Sequence, residues 1–136
     1  MRFTSLFTRL ALILAVPGFG WIGVRFIFAP HEVAATMGMT LATDTAVSTI
    51  QSGFGGFHIG VALLAAFFAL TQHTVLPGLM IVTTTAGMAV ATRGISLYTD
   101  GLDPKTLFVF WVEAFMLTLW LAALITERWR RARATL

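Results

Sequence analysis

The sequence predicts an all-α membrane domain, a bundle of four transmembrane helices with a short amphipathic helical segment in the first outer loop. Composition is the first observation, because 57% of the 136 residues are hydrophobic and only 11% are charged, whereas about a quarter of residues are charged in a typical soluble domain. The second observation is length. Four apolar stretches, each of about 20 residues and therefore able to cross a bilayer, occupy most of a single domain, residues 1–136.

The first span is predicted at about 6–28. Pro17 and Gly18 interrupt it, which in a membrane helix favours a kink over an end. The segment begins like a signal peptide, with Arg2 and Arg9 before an apolar stretch. We expect it to be retained, because the apolar stretch continues and no small-residue cleavage site follows it.

The first connection becomes polar between His31 and Gln51. We interpret it as an extramembrane loop that contains one or two short helical turns. Thr43 or Asp44 is the expected N-cap of the second, since both residue types accept hydrogen bonds from free helix N–H groups.

The other three spans are predicted at about 52–71, 75–97 and 106–126. Residues 72–74 are polar and predict a tight turn between the second and third spans. Residues 100–104, Asp-Gly-Leu-Asp-Pro, have the composition of a turn before the fourth.

Basic residues predict the orientation of the bundle. Most lie near the chain termini, at Arg2, Arg9, Arg128, Arg130, Arg131 and Arg133, and fewer lie at the opposite side, at Arg25 and Lys105. Because Lys and Arg favour the cytoplasmic side, we expect a bacterial inner membrane protein with both termini in the cytoplasm. The tail residues Arg128, Trp129, Arg130, Arg131 and Arg133 are interpreted as a membrane-surface anchor, with a specific lipid head-group site as the alternative.

Charged residues inside the spans are the main functional signal, because a charge at mid-bilayer costs at least about 2.5 kcal/mol. Arg93 and Glu113 lie at equal distances before and after Asp103, so an antiparallel hairpin brings them to the same depth. We therefore predict a buried Arg93–Glu113 ion pair. His58 and Arg25 reach the same layer, which gives a candidate polar layer or ligand site of Arg25, His58, Arg93 and Glu113.

Two interpretations of this polar layer stay open. It is either a structural clasp that fixes helix register or a site for a ligand, an ion or a proton. His58 and Glu113 are fewer ligands than zinc normally takes, and the chain has no cysteine. We therefore predict no metal, no catalytic residues and no cofactor, although a bound lipid, pigment or quinone is compatible with the layer. Nucleic acid is not an expected partner.

Glycines at the start of the second span are the second signal. Gly53, Gly55, Gly56 and Gly60 predict close helix packing, because small residues let two backbones approach each other in a membrane. The expected neighbour is another helix of the same chain, and a partner protein is the alternative.

These features together resemble the bacterial membrane family of unknown function numbered 4345, which is related in its four-helix plan to DoxX-like proteins. The resemblance covers about residues 10–126. It rests on Ala29-Pro30, residues 53–60 (Gly-Phe-Gly-Gly-Phe-His-Ile-Gly), Arg93-Gly94 with Asp100-Gly101, and Glu113. It implies a four-helix bundle without established catalytic residues, and the DoxX-like kinship implies respiratory or quinone-linked complexes.

Three functions are compatible with the sequence. The first is a non-catalytic accessory or scaffolding subunit of a larger membrane complex, with other membrane proteins as partners. The alternative is a small carrier or binding protein for a lipid, quinone or proton that uses the Arg-Glu-His layer. An enzyme acting on a lipophilic substrate, with His58 as base, is the third hypothesis.

Overall fold

The computed structural model describes residues 2–71 and 75–134, with side chains from Leu6 onward. Within these residues all regular structure is helical, and four helices are long and apolar enough to cross a membrane. The predicted all-α four-helix fold is therefore confirmed, whereas the predicted turn at 72–74 lies outside the described residues. The helices are α1 (Arg2–Phe28), α2 (Pro30–Thr36), α3 (Asp44–Ile50), a π-helical turn (Gln51–Gly56), α4 (Phe57–Leu70), α5 (Val75–Thr99) and α6 (Pro104–Ala134).

The first span and the first loop helix follow each other almost directly. Helix α1 continues through Pro17, as predicted. Helix α2 begins at Pro30, where the missing N–H removes a donor that would have no partner in the first helical turn. Gly38 then takes a φ of 72°, a conformation that glycine adopts without steric strain.

The second span begins earlier than predicted. The Thr43 hydroxyl accepts a hydrogen bond from the Ala46 amide at 3.1 Å, so the predicted cap is confirmed. From that cap, α3, the π-helical turn and α4 follow without a break, and the apolar helix covers Asp44–Leu70 instead of 52–71. The short helical turns predicted between His31 and Gln51 are present as α2 and α3, and α3 continues into the second span. The reason is that the π-helical turn joins α3 to α4, so no loop separates the polar segment from the apolar one.

The connection between α5 and α6 is a capped turn. Gly101 has a φ of 98°, which reverses the chain. The Asp103 carboxylate accepts hydrogen bonds from the Thr106 amide at 2.8 Å and from the Thr106 hydroxyl at 2.9 Å. Asp103 therefore satisfies a free N–H group at the start of α6.

The four spans form two close pairs, α1 with α4 and α5 with α6. We call the side of the bundle where the chain begins and ends the termini end, and the side with the loop after α1 the loop end. The two pairs meet at the termini end around a buried core. Its members are small or branched apolar side chains with two aromatic rings: Ala11, Leu12, Ala15, Phe19, Val61, Ala62, Ala65, Ala69, Val75, Leu79, Val82, Ala86, Trp120 and Ala123.

A hydrogen bond ties α6 to α1 within this core. The indole Nε1 of Trp120 donates to the Ala11 carbonyl oxygen at 2.8 Å, and both groups are buried. A buried indole N–H without an acceptor is destabilising. This contact therefore fixes the relative height of two helices that lie far apart in sequence.

Two glycines let α1 and the second span cross in backbone contact. A Cβ added at Gly23 would lie 2.9 Å from the Ile59 amide nitrogen and 3.0 Å from the Gly55 carbonyl oxygen. A Cβ added at Gly55 would lie 2.6 Å from Ile27 Cγ1 and 3.3 Å from the Gly23 carbonyl oxygen. Gly23 and Gly55 are thus reciprocal contact points of one crossing.

The other three glycines of the motif do not pack closely against another helix of the chain, and packing against a partner protein stays a prediction for them. An added Cβ at Gly53 or Gly60 would meet no atom within 4 Å, and at Gly56 it would meet only the Gln51 carbonyl oxygen, at 4.0 Å. The physical reason is helix rotation, since neighbouring residues point about 100° apart around a helix axis. Of the four predicted glycines, Gly55 alone faces α1.

A candidate ligand-binding cavity

A cavity of about 600 Å³ lies at the loop end, between the two helix pairs. Every spanning helix and α2 contribute to its lining. All four residues of the predicted polar layer are among the lining residues, although they come from four different helices. The polar side chains of the lining are Arg25, His58, Thr92, Arg93, Ser96 and Glu113.

The predicted ion pair between α5 and α6 is present on one wall. Arg93 Nε donates to Glu113 Oε2 at 2.8 Å, and Arg93 Nη2 donates to Glu113 Oε1 at 2.9 Å. This bidentate geometry uses both carboxylate oxygens. The side chains remain 33% and 26% exposed. Because guanidinium has five N–H donors, Arg93 retains donors beyond the two that Glu113 uses.

His58 lies on the opposite wall with one ring nitrogen already engaged. Its Nδ1 is 2.6 Å from the Phe54 carbonyl oxygen in the π-helical turn. A carbonyl oxygen only accepts, so Nδ1 carries the proton, and Nε2 of the neutral ring is an acceptor. Among the described residues, no side chain is hydrogen-bonded to Nε2. His58 therefore offers the cavity one unused polar atom.

Aromatic rings surround His58. Its ring centroid lies 5.8 Å from that of Phe19, 6.1 Å from that of Phe26 and 5.7 Å from that of Phe57. Phe26 also stacks on Phe54 at 5.3 Å. Such contacts hold ring orientations and present flat apolar surfaces. The wall around His58 is therefore suited to an apolar or planar group.

Arg25 lies in the last turn of α1 and is half-buried at the cavity wall. Within residues 6–71 and 75–134, no acidic side chain forms an ion pair with it. The carboxylate across the cavity, Glu113, has both oxygens bound to Arg93. Arg25 is thus a cation at the cavity without a protein counterion in the described part of the chain.

The two hydroxyls in the lining donate to acceptors three or four residues away in sequence. Thr92 donates to the carbonyl oxygens of Met88 and Ala89, and Ser96 donates to the Asp100 carboxylate at 2.9 Å. Since each hydroxyl has one proton, both side chains face the cavity as acceptors only.

The π-helical turn anchors this wall to the end of α1. The Gln51 amide Nε2 donates to the Ile27 carbonyl oxygen at 2.8 Å, which lies among the last carbonyls of α1, where helical partners are missing. Extra-wide turns of this kind are frequent at functional sites. Here the turn presents the Phe54 carbonyl to His58.

The arginine tail is the helical continuation of α6. Arg128, Trp129 and Arg133 are exposed, as a surface anchor requires. Arg130 and Arg131, by contrast, bind a carboxylate whose side chain is only 2% exposed, that of Glu127, at 2.6 to 2.9 Å. The anchoring role of the tail stays a prediction, and two of its arginines also neutralise a buried charge.

Sequence reasoning missed several structural residues. Glu127 has the spacing to Arg130 and Arg131 that favours side-chain pairs on a helix, and this signal could have indicated the pairing. Its burial has no comparable signal. The buried hydrogen bond of Trp120 and the backbone contact of Gly23 also have no signal in the sequence, because each depends on which helix lies opposite.

Comparison of the chain with family models, with curated proteins and with solved structures finds no match. The resemblance given above is neither supported nor contradicted by these comparisons.

Proposed function

We propose that this protein binds the polar head of a lipophilic molecule in the cavity at the loop end. The observation that carries the proposal is that Arg25, His58, Arg93 and Glu113, from four separate helices, line one cavity of about 600 Å³. A purely structural clasp needs the Arg93–Glu113 pair alone. The additional arginine, the unused histidine nitrogen and the volume itself are what a binding site adds.

Aromatic and polar groups in the lining support an amphiphilic ligand. Trp21, Ile22, Phe26 and Phe54 contribute apolar surface, and a small number of convergent polar groups in an apolar pocket is typical of ligand sites. A lipid, a pigment or a quinone has this combination of a polar head and an apolar body.

Copurification tests the proposal. Protein extracted in a mild detergent should contain a lipophilic molecule at near one copy per chain, measured by organic extraction and mass spectrometry. Ala89 lines the cavity, so Ala89→Phe should fill it and remove the molecule. Ala91→Phe is the matched control, because Ala91 is exposed on the same helix. A molecule retained equally by both variants, or none in the unmodified protein, would contradict the proposal.

An accessory role in a membrane complex is the second candidate function. The observation that favours it is an aromatic face on α6, where Phe108, Trp111 and Phe115 are 70%, 64% and 69% exposed. These residues lie on one side of the helix. Gentle extraction followed by native mass measurement should then give a complex larger than the monomer, and Phe115→Ala should weaken it. A mass of the isolated chain alone would contradict this role.

For the membrane orientation, we propose a bacterial inner membrane with both termini in the cytoplasm. The exposed Arg128 and Arg133 at the termini end support this orientation, since basic residues favour the cytoplasmic side. The chain has no cysteine, so single cysteines report topology directly. In spheroplasts, a membrane-impermeant maleimide should label Leu102→Cys and not Ala134→Cys. The reverse labelling pattern would contradict the orientation.

A further inference from the structure

We propose that the ligand is a monoanionic amphiphile whose acidic head pairs with Arg25. This inference rests on the proposed function, because it names the chemical class that the same cavity takes. The class is an apolar chain with one acidic oxygen-bearing head, either a free fatty carboxylate or a lipid phosphodiester.

The charges of the lining support an anion. Arg25 and Arg93 are positive and Glu113 is negative, so the fixed charges of the cavity leave one positive charge without a partner. Glu113 carries one negative charge, which its ion pair with Arg93 already balances. A half-buried cation beside apolar side chains favours an anionic partner. A single negative charge on the ligand neutralises the site.

The hydrogen-bond donors that remain also fit an acidic head. Arg25 offers its guanidinium donors, and Arg93 offers those that Glu113 does not use. Arginine binds carboxylate and phosphate oxygens in a fork geometry, which is the strong form of such contacts. Donors from both helix pairs thus face a head group whose oxygen atoms are hydrogen-bond acceptors.

The apolar body of the ligand has a place in the same cavity. Phe26 and Phe54 stack beside it, and Ile22, Val33 and Val109 complete an apolar lining around the polar groups. A charged head near the end of α1 therefore continues into apolar surroundings. A small hydrophilic anion would leave this part of the cavity unfilled.

Photolabelling with a matched pair of probes tests the inference. The full chain in a neutral detergent is labelled at pH 8 with a diazirine-bearing fatty acid and with the corresponding fatty alcohol, and labelled peptides are located by mass spectrometry. We expect the acid to label the segments around Met37 and Phe54, which line the cavity, about tenfold more than the alcohol. One charge-assisted hydrogen bond is sufficient for that ratio. Competition with unlabelled fatty acid or with phosphatidylglycerol distinguishes the two sources of the acidic head, and phosphatidylcholine should compete poorly.

Variants assign the effect to Arg25. Arg25→Gln should bring acid and alcohol labelling to the same level and leave alcohol labelling unchanged, which also demonstrates that the variant is folded. Arg25→Lys should retain the preference, and so should Arg128→Gln at the exposed termini end. Equal labelling of the cavity by acid and alcohol in the unmodified protein would overturn the inference while supporting the cavity as a binding site. Absence of cavity labelling by either probe would overturn the proposed function itself.

Discussion

The termini end and the loop end of this bundle are built from the same four helices but differ in how closely the two helix pairs meet. At the termini end, Leu12, Leu79 and Val82 are completely buried, and alanines allow the helices to approach. At the loop end, the pairs leave between them an open cavity of about 600 Å³, lined by arginine, glutamate and histidine among other residues. One half of the bundle is thus a packed core, and the other half is a candidate site.

This difference follows from what holds helices together in lipid. Apolar side chains gain little by leaving lipid for a protein core, so close packing and interhelical hydrogen bonds provide the stability. The termini end supplies packing and the Trp120–Ala11 hydrogen bond. The loop end supplies the ion pair, the glycine crossing, the Gln51–Ile27 hydrogen bond and a smaller apolar cluster around Phe26. A well-packed half allows the other half to remain open.

The largest expected effect comes from removing one member of the ion pair. Glu113→Gln leaves Arg93 without its carboxylate inside the membrane, and we expect a loss of about 2 to 3 kcal/mol in the free energy of unfolding. Unfolding by sodium dodecyl sulfate in mixed micelles, followed by tryptophan fluorescence, measures this loss.

The double variant Arg93→Gln, Glu113→Gln is the control for that measurement. It has no unpaired charge and should recover most of the lost stability, because the cost of leaving Arg93 without a counterion is removed. Equal stability of the single and double variants would mean that the unpaired charge of Arg93 does not cause the loss.

A matched pair of truncations on α1 compares the two ends directly. Leu12 is 0% exposed in the core, whereas Ile22 is 42% exposed at the cavity. Leu12→Ala should lower the free energy of unfolding by about 2 kcal/mol through lost packing, and Ile22→Ala should change it little. The same unfolding assay measures both. Similar losses at the two positions would contradict the distinction between a packed half and an open half.

The glycine crossing provides a smaller effect within the loop end. A methyl group at Gly23 meets backbone atoms of Ile59 and Gly55 at 2.9 and 3.0 Å, so Gly23→Ala should destabilise the protein by about 1 to 2 kcal/mol. Gly60→Ala is the control, because its added Cβ meets nothing within 4 Å. If both variants have the stability of the unmodified protein, α1 and the second span do not cross in backbone contact.

Much of the fold is predictable because spans depend on local sums of hydropathy and length. The contact between Arg93 and Glu113 is also predictable, since two positions equidistant from a hairpin turn share one depth. Helix rotation is not accessible in this way. Gly55 and Gly56 are adjacent in sequence, yet only Gly55 faces α1.

The cavity itself depends on how the two helix pairs separate, which no sequence spacing encodes. Placing Arg25 and His58 at the depth of the ion pair was possible from their distances to the span ends. The positions of the helices are needed to show that Arg25 and His58 line a cavity of about 600 Å³. The continuous helix from Asp44 is likewise not predictable from the sequence, because a π-helical turn joins α3 to α4 where a helix start is expected.

The smallest expected effect is a pH dependence at the loop end. Hydrogen bonds from the Thr106 amide and then the Thr106 hydroxyl hold the pKa of the Asp103 carboxyl below its usual value, with a further contribution from Lys105. A lowered pKa in the folded state stabilises the protein above the usual aspartate pKa of about 3.9. That stabilisation is lost as the pH falls through the lowered value. Thermal unfolding between pH 5 and pH 2.5 should therefore decline more in the unmodified protein than in Asp103→Asn, which retains an acceptor but does not titrate. The remaining carboxylates are common to both proteins, so the difference between the two curves reports the Asp103 cap. Parallel curves would contradict a contribution of this cap to the pH dependence of stability.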